Sequence, residues 1–268
     1  DTIKVGPTIT PAFTPGSRLD VILDLPTWLQ DLNDRTRYFL HAYILLPGDR
    51  DFEDSHIENY SINHPVSTKL PYIIDFEKKR SQVLYLSNLI FSKGIFEFLE
   101  SAKYILELSK DVIIKIAGKP MSDNFMSDID VKKRFDDESI KLKEKYPDRY
   151  FYLGVVKGKE KEDLLIESSI FVLPTFYITE AFPLTIIEAM FFGNAIITTK
   201  HNYLPNILNS KNGVLIDVNT SKQIVDNVIN LFDDKSKLRN IQKNNSEEAK
   251  KKYGPEIFNK KIEEIINN

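Results

Sequence analysis

Two glutamates, Glu180 and Glu188, have seven residues between them and lie in different local sequences. Glu180 follows residues 170–173, a short apolar run that is typical of a strand buried on both faces. In open α/β sheets, ligands bind outside the carboxyl ends of the strands. We therefore expect Glu180 to lie at a ligand-binding edge, where a carboxylate accepts hydrogen bonds from hydroxyl groups.

Glu188 is the only charged residue in the apolar run 183–192. Pro183 at the start and Gly193 just past the end predict a short helix, with Pro183 at its first position. A helix that is apolar on nearly all sides is buried, and a buried carboxylate needs a partner or a function. Because helical side chains lean toward the N-terminus, we expect Glu188 to point toward the loop that carries Glu180.

The start of this helix is a candidate anion site. The N–H groups of Phe182, Leu184 and Thr185 lack partners within the helix and stand at its positive end, which suits a phosphate. The two carboxylates can bind hydroxyl groups, and the helix end beside them can bind an anion. A sugar nucleotide carries both kinds of group, hydroxyls and phosphates.

The composition excludes several classes of protein. Apolar residues make up 42% and charged residues 28% of the 268-residue chain, which is typical of a globular protein. A net charge of −3 argues against nucleic-acid binding through a basic surface. The chain has no cysteine, and its four histidines show no metal-binding spacing. No apolar run is long enough to span a membrane and no signal peptide is visible, so we expect a cytoplasmic location.

From residue 82 onward, short apolar runs alternate with helical patterns, which predicts an α/β fold with a doubly wound parallel sheet. The six predicted strands are 83–86, 112–117, 150–153, 170–173, 195–199 and 213–216. The pair Asp128 and Asp130 has the spacing of a metal motif, but it precedes a highly charged surface helix, and we expect no metal there. The last helix, from Pro255, is predicted to pack between the domain halves.

Several stretches, in order, resemble the retaining glycosyltransferases of the GT-B fold, specifically glycosyltransferase family 4. They are VLYLSNLIFSKG, FYLGVV, FVLPTFYITEAFPLTIIEAM with its two glutamates, and NAIITT. The resemblance covers about residues 80–250, the donor-binding half of such enzymes. It implies a Rossmann-like donor domain at 76–252, a shortened N-terminal acceptor-side region at 1–75 and a C-terminal helix at 253–268 that packs back toward the N-terminal half.

The resemblance also implies roles for individual residues. Glu180 would contact the donor hexose near the reacting carbon, Glu188 would bind the ribose hydroxyls, and Lys93 would neutralise the diphosphate. Gly118 would open the loop after the second strand. The residues that would line the sugar, diphosphate and base are Ala181, Phe182, Pro183, Leu184, Val155 and Val156.

The chain departs from the family pattern at three places. Asn88 stands where the family has an arginine, so one charge of the basic pair is absent. Ala181 stands where the family has the glycine after the first glutamate. Most of the acceptor domain has no counterpart in residues 1–75, and His41 is the nearest candidate for the family's acceptor-side histidine.

The implied function is transfer of a hexose from a nucleoside-diphosphate sugar to a saccharide or lipid-linked acceptor, with retention and without a metal or other cofactor. Polysaccharide biosynthesis and peripheral contact with the inner face of the membrane are expected from the resemblance, and nucleic acid is not expected as a partner. Two alternatives stay open at this point. One is a non-catalytic nucleotide-sugar-binding subunit, and the other is a sugar-nucleotide epimerase of the same fold.

Overall fold

The computed structural model describes residues 74–178, 180, 183–254 and 257. The predictions for residues 1–73, including His41, and for the helix from Pro255 lie outside the described residues. The domain boundaries therefore stay a prediction. No helix in the described part of the chain is long and apolar enough to cross a membrane.

The described part of the chain forms a parallel sheet of six strands in the order β3-β2-β1-β4-β5-β6. The strands are β1 (Gln82–Leu86), β2 (Ile113–Ala117), β3 (Tyr150–Tyr152), β4 (Ile170–Leu173), β5 (Ala195–Thr199) and β6 (Gly213–Ile216). All six match the predicted runs. The strand order reverses direction between β1 and β4, and such a topological switch point is where doubly wound sheets bind ligands.

Within the described residues, seven α-helices connect and follow the strands. They are α1 (Ile95–Leu108), α2 (Asp128–Lys145), α3 (Gly158–Glu167), α4 (Leu184–Phe191), α5 (Leu204–Ile207), α6 (Ser221–Asp233) and α7 (Lys235–Tyr253). The predicted apolar face of α1, which includes Phe98 and Ile105, is buried. The charged helix α2 buries Val131 and Phe135 and exposes most of its charges, as expected for a surface helix.

Burial along each strand follows its place in the sheet. Every residue of β1, β4 and β5 is buried, because these central strands are covered by helices on both faces. The edge strands β3 and β6 are only partly buried. The central position of β1 and β4 makes the loops that leave their carboxyl ends well anchored, and these loops carry Lys93 and Glu180.

An asparagine cluster joins the amino ends of β5 and β6 to α7. Asn245 Nδ2 donates to the backbone oxygens of Asn194 and Asn212, at 2.7 Å each, and its Oδ1 accepts from Asn212 Nδ2 at 2.9 Å. Asn194 Nδ2 donates to the backbone oxygens of Leu165 and Ala189, at 3.0 Å each. These three side chains, Asn194, Asn212 and Asn245, are fully buried. The bonds of Asn245 to Asn194 and Asn212 hold α7 in register with the sheet, whereas Asn194 Oδ1 is buried without a partner among the described residues.

Candidate active site at the switch point

The loops that leave β1 and β4 are joined by hydrogen bonds across the switch point. Residues Phe91–Lys93 form one turn of 3₁₀ helix before α1. The backbone oxygen of Ser92 in this turn accepts from the N–H of Phe176 in the β4 loop at 2.7 Å. Ser92 itself is held by Asp123, whose Oδ2 accepts from the Ser92 N–H at 2.8 Å and from its hydroxyl at 2.6 Å. The turn before α1 therefore has a fixed position against the β4 loop.

Gly94 brings the two loops into direct contact. Its φ of +74° lies in the left-handed region, and a Cβ at this position would lie 2.3 Å from the backbone oxygen of Pro174. Only glycine meets both conditions without strain. The close approach places Lys93, the preceding residue, over the loop that carries Glu180.

Lys93 and Glu180 form an ion pair at the centre of this region. Lys93 Nζ lies 3.3 Å from Glu180 Oε2, and the side chains are 19% and 9% exposed. The Thr175 hydroxyl lies within 3.4 Å of the same carboxylate oxygen. Lys93 Nζ also stands 5.5 Å from the centre of the Tyr177 ring, a distance that allows a cation–π interaction. The two residues predicted to be catalytic are thus brought together, with the cation more accessible than the carboxylate.

Tyr85, in β1, supports the loop that carries Lys93. Its side chain is fully buried, and its hydroxyl lies 3.3 Å from the backbone oxygen of Asn88 and 3.4 Å from that of Lys93. Burial raises the pKa of Tyr85 well above its usual value, and the charges of Glu180 and Glu97 raise it further. The phenol therefore stays protonated and remains a hydrogen-bond donor to this loop.

Glu188 has a different lysine as its partner. Lys161, in the first half of α3, places Nζ 2.6 Å from Glu188 Oε1, and the side chains are 30% and 19% exposed. The sequence indicated that this carboxylate needs a partner or a function, and the structure shows the partner. One carboxylate oxygen is engaged by the ammonium group. The pair is exposed enough for a ligand hydroxyl to reach the carboxylate.

The start of α4 differs slightly from the prediction. Pro183 is the residue that precedes the helix, with an extended ψ of 104°, and Leu184 is the first helical residue. The Pro183 oxygen accepts the first intrahelical bonds, from Ile186 at 3.0 Å and Ile187 at 3.4 Å. Placing proline at the first helical position was therefore wrong by one residue. The N–H groups of Leu184 and Thr185 lie outside the intrahelical ladder, as the predicted anion site requires, and that site stays a prediction.

Gly118 joins the ends of three neighbouring strands. A Cβ there would lie 1.8 Å from the backbone oxygen of Ser87 in the β1 loop. The Gly118 N–H donates to the backbone oxygen of Gly154, in the β3 loop, at 2.7 Å. Gly118 is thus required for the close packing of these loops, which agrees with its predicted position opening the loop after β2.

The other predicted contact residues differ in accessibility. Val155, in the loop after β3, is 54% exposed, whereas its neighbour Val156 is buried. Asn88 is exposed and lies in the same loop as Lys93. The predicted contacts of Ala181 and Phe182 lie outside the described residues, so their roles stay a prediction.

Sequence reasoning missed several residues that hold this site together. Lys161 pairs with Glu188, Thr175 lies against Glu180, and His201 and Asn202 contact the β4 loop from the end of β5. One usable signal was that the segment after β5 leaves the same edge of the sheet as the β4 loop. A second signal was that Glu188 is the only charged residue in its apolar helix, because a buried carboxylate requires a cation from a neighbouring element.

Comparison with protein families gives one match, the family described as glycosyl transferases group 1, over residues 67–249. A search of the curated proteins finds no match. Solved structures match with low sequence identity. One is a complex of S. aureus TarM with Fondaparinux, alpha-GlcNAc-glycerol and UDP, with 18% identity and a TM-score of 0.56. Another is Anabaena HepE in complex with UDP and glucose, with 18% identity and a TM-score of 0.59.

The extent of these matches differs between the structures. The match covers 75% of this chain but only 38% of the TarM chain, and 72% of this chain but only 50% of the HepE chain. By contrast, it covers 97% of the C-terminal domain of LpcC, a glycosyl transferase group 1 family protein from Francisella tularensis, with 23% identity and a TM-score of 0.54. The chain therefore shares the fold of one half of these GT-B glycosyltransferases.

Proposed function

The chain belongs to the glycosyl transferases group 1 family, and on that premise we propose that it carries the donor site of a retaining hexosyltransferase. The donor is a nucleoside-diphosphate sugar, and the acceptor is a saccharide or a lipid-linked saccharide. The TarM and HepE complexes, whose ligands include UDP and sugars, support this class of donor and acceptor.

The observation that carries this proposal is the Lys93–Glu180 ion pair at the β1/β4 switch point. It combines a cation suited to phosphate with a carboxylate suited to sugar hydroxyls, within 3.3 Å of one another. A diphosphate bound by Lys93 would leave the adjacent hexose beside Glu180. The carboxylate then accepts hydrogen bonds from the hexose hydroxyls and orients the ring for reaction.

Charge on the leaving diphosphate is the main demand of the reaction. The bond between the sugar's anomeric carbon and the phosphate oxygen breaks, and a bond to the acceptor oxygen forms on the same face of the ring. The proton of the acceptor hydroxyl passes to the leaving diphosphate. Lys93 and the free N–H groups of Leu184 and Thr185 stabilise the developing charge on the phosphates. Single preorganised donors of this kind contribute about 3–4 kcal/mol in comparable sites. We therefore propose that the chemistry does not depend on a metal.

The nucleoside end of the donor would extend toward α3. Glu188 would accept hydrogen bonds from the ribose hydroxyls through its free oxygen, while Lys161 holds the other. Exposed Val155 would border the base, and Asn88 would donate a hydrogen bond to a phosphate oxygen. Polysaccharide assembly at the inner face of the membrane is the setting we propose for such a donor and acceptor.

The test is product formation by the full chain with UDP-glucose, GDP-mannose and ADP-glucose, each offered with saccharide and lipid-linked saccharide acceptors. We expect transfer or slow donor hydrolysis with one nucleotide, and a product whose anomeric configuration by proton NMR matches that of the donor. Chelation by EDTA should leave the rate unchanged. An inverted product would overturn the retaining mechanism. Donor binding with no turnover would instead support a nucleotide-sugar-binding subunit, and interconversion of the donor sugar would support an epimerase.

A further inference from the structure

The segment that follows β5 makes contacts with the Glu180 loop that the proposed chemistry does not use. Asn202 Nδ2 lies 2.9 Å from the backbone oxygen of Ile178, 3.3 Å from that of Glu180 and 3.4 Å from that of Tyr177. Three carbonyl oxygens around one atom identify that atom as the amide nitrogen, because an oxygen there would be repelled by all three. The Asn202 side chain is thus a donor placed at the centre of the loop's backbone.

Two further groups from the same segment reach the same loop. His201 Nε2 lies 3.0 Å from the backbone oxygen of Tyr177, and since a carbonyl oxygen only accepts, this nitrogen carries the proton. The Thr199 hydroxyl donates to the backbone oxygen of Thr175. Carbonyls spread along the loop from residue 175 to residue 180 are therefore held by donors from one short segment.

The backbone at Asn202 is adapted to this contact. Its φ of 46° lies in the left-handed region, which asparagine adopts more readily than most residues with a side chain. This turn directs the amide toward the loop that follows β4. Asn219, in the turn between β6 and α6, is the other described residue besides glycine with a positive φ, at 56°. It is exposed, so it serves as a matched control.

We propose that Asn202 is a positioning residue for Glu180. It holds the backbone oxygens of Tyr177, Ile178 and Glu180 so that the carboxylate stays against Lys93 and Thr175. His201 supports the same loop. This inference rests on the proposed function, in which Glu180 orients the donor hexose. Asn202 itself need not touch the substrate, because its effect passes through the carbonyl oxygen of Glu180.

The test is hydrogen–deuterium exchange of the full chain carrying Asn202→Gly, with Asn219→Gly as control. Glycine adopts the same left-handed φ, so the change removes the amide and keeps the backbone. The N–H groups of Glu180 and Tyr177 donate within the loop, to the Tyr177 oxygen at 2.9 Å and the Thr175 hydroxyl at 3.2 Å. We expect their exchange to become about tenfold faster in Asn202→Gly and to stay unchanged in Asn219→Gly.

A second variant separates loss of the donor from loss of size. Asn202→Asp keeps the shape but sets a carboxylate oxygen against the same carbonyls, so we expect loop exchange at least as fast as in Asn202→Gly. Exchange of residues 174–180 that is unchanged in both variants would overturn the inference, whatever the activity.

Turnover of the same three donor sugars separates this inference from the proposed function. Where the wild type turns over a donor, Asn202→Gly should lower kcat about tenfold and change KM less than twofold, as expected when an interaction made in the transition state is loosened. An unchanged kcat would overturn the positioning role. Absence of turnover in the wild type, together with faster loop exchange in Asn202→Gly, would overturn the proposed function alone.

Discussion

The asparagine cluster at the amino ends of β5 and β6 and the two ion pairs at the switch point bury polar groups in different ways. In the asparagine cluster the groups are neutral, fully buried and bonded mainly to backbone. At the switch point they are charged, and each pair leaves part of its lysine exposed, 19% for Lys93 and 30% for Lys161. The side-chain donors of the asparagine cluster are used by backbone oxygens, by Asn245 Oδ1 and by Glu248, and no part of these three side chains is exposed to a ligand. A partly exposed ion pair can instead exchange its partner for a phosphate or a hydroxyl.

The two regions should therefore respond to substitution in opposite ways. Changes at the switch point should reduce the binding or turnover of the folded protein, in addition to any stability lost by leaving a carboxylate without its cation. Changes in the asparagine cluster should reduce stability and leave the properties of the folded fraction unchanged. Four substitutions test this division.

The largest effect is expected for Lys93→Met. Removing the cation that faces the diphosphate should lower donor turnover by about 100-fold or more, in the range found for single preorganised donors. The midpoint of thermal unfolding should fall as well, because Glu180 is left buried without its cation, so turnover is compared at a temperature where the variant is folded. Lys103→Met, on the exposed side of α1, is the control and should keep wild-type turnover. Equal turnover of Lys93→Met and Lys103→Met would remove Lys93 from the site.

Asn245→Ala is the corresponding test of the asparagine cluster. It removes two donated bonds of 2.7 Å and one accepted bond of 2.9 Å, and it leaves buried backbone oxygens of Asn194 and Asn212 without that donor. The free energy of unfolding should fall by about 2–3 kcal/mol, measured by urea denaturation. The KM for the donor should stay unchanged at a temperature where the variant is folded. A higher KM for the donor or a lower kcat, without loss of stability, would contradict the division.

Lys161→Met should have a smaller effect at the switch point. Without its ammonium partner at 2.6 Å, the Glu188 carboxylate loses its fixed orientation and a nearby positive charge. Nucleotide affinity should fall about fivefold, which corresponds to about 1 kcal/mol. Titration calorimetry with the nucleoside diphosphate measures this directly, and unchanged affinity would show that Lys161 plays no part in orienting Glu188.

Lys159→Met, on the same helix, should show almost no effect. Lys159 pairs with Asp163 one turn along α3, and the side chains are 74% and 51% exposed. Such exposed surface pairs contribute little to stability, so neither the free energy of unfolding nor the nucleotide affinity should change measurably. If Lys159→Met weakened the nucleotide as much as Lys161→Met, the effect would come from general charge near α3 and not from the pair with Glu188.

The sequence predicted the sheet for a clear physical reason, and the family resemblance placed Lys93 and Glu180 in one donor site. Apolar runs such as 170–173 and 195–199 are typical of strands buried on both faces, and the carboxyl ends of the strands in a parallel sheet lie at the same edge. Residues that follow β1 and β4 are therefore placed near one another by topology alone. The helix around Glu188 was predicted from its apolar composition and the closing Gly193, which has a φ of +66°.

The contacts of Lys161 and Asn202 could not be predicted in the same way. Each depends on the side chain of one loop or helix reaching another that is 22 or more residues away in the chain, as in the contact of Asn202 with Glu180. Apolar periodicity describes which face of an element is buried, but it does not describe which polar atoms meet between elements. The asparagine cluster was missed for the same reason. The sequence of α7 indicates a polar helix and does not show that this helix packs against β5.

The most direct test of the donor site is titration calorimetry of the wild type and of Glu188→Ala with UDP, GDP and ADP. The account predicts that one of the three nucleotides binds the wild type, and that Glu188→Ala weakens this binding at least tenfold, about 1.4 kcal/mol, through loss of the ribose hydrogen bonds. Equal affinity of the wild type and Glu188→Ala for the bound nucleotide would contradict it, as would the absence of binding by all three.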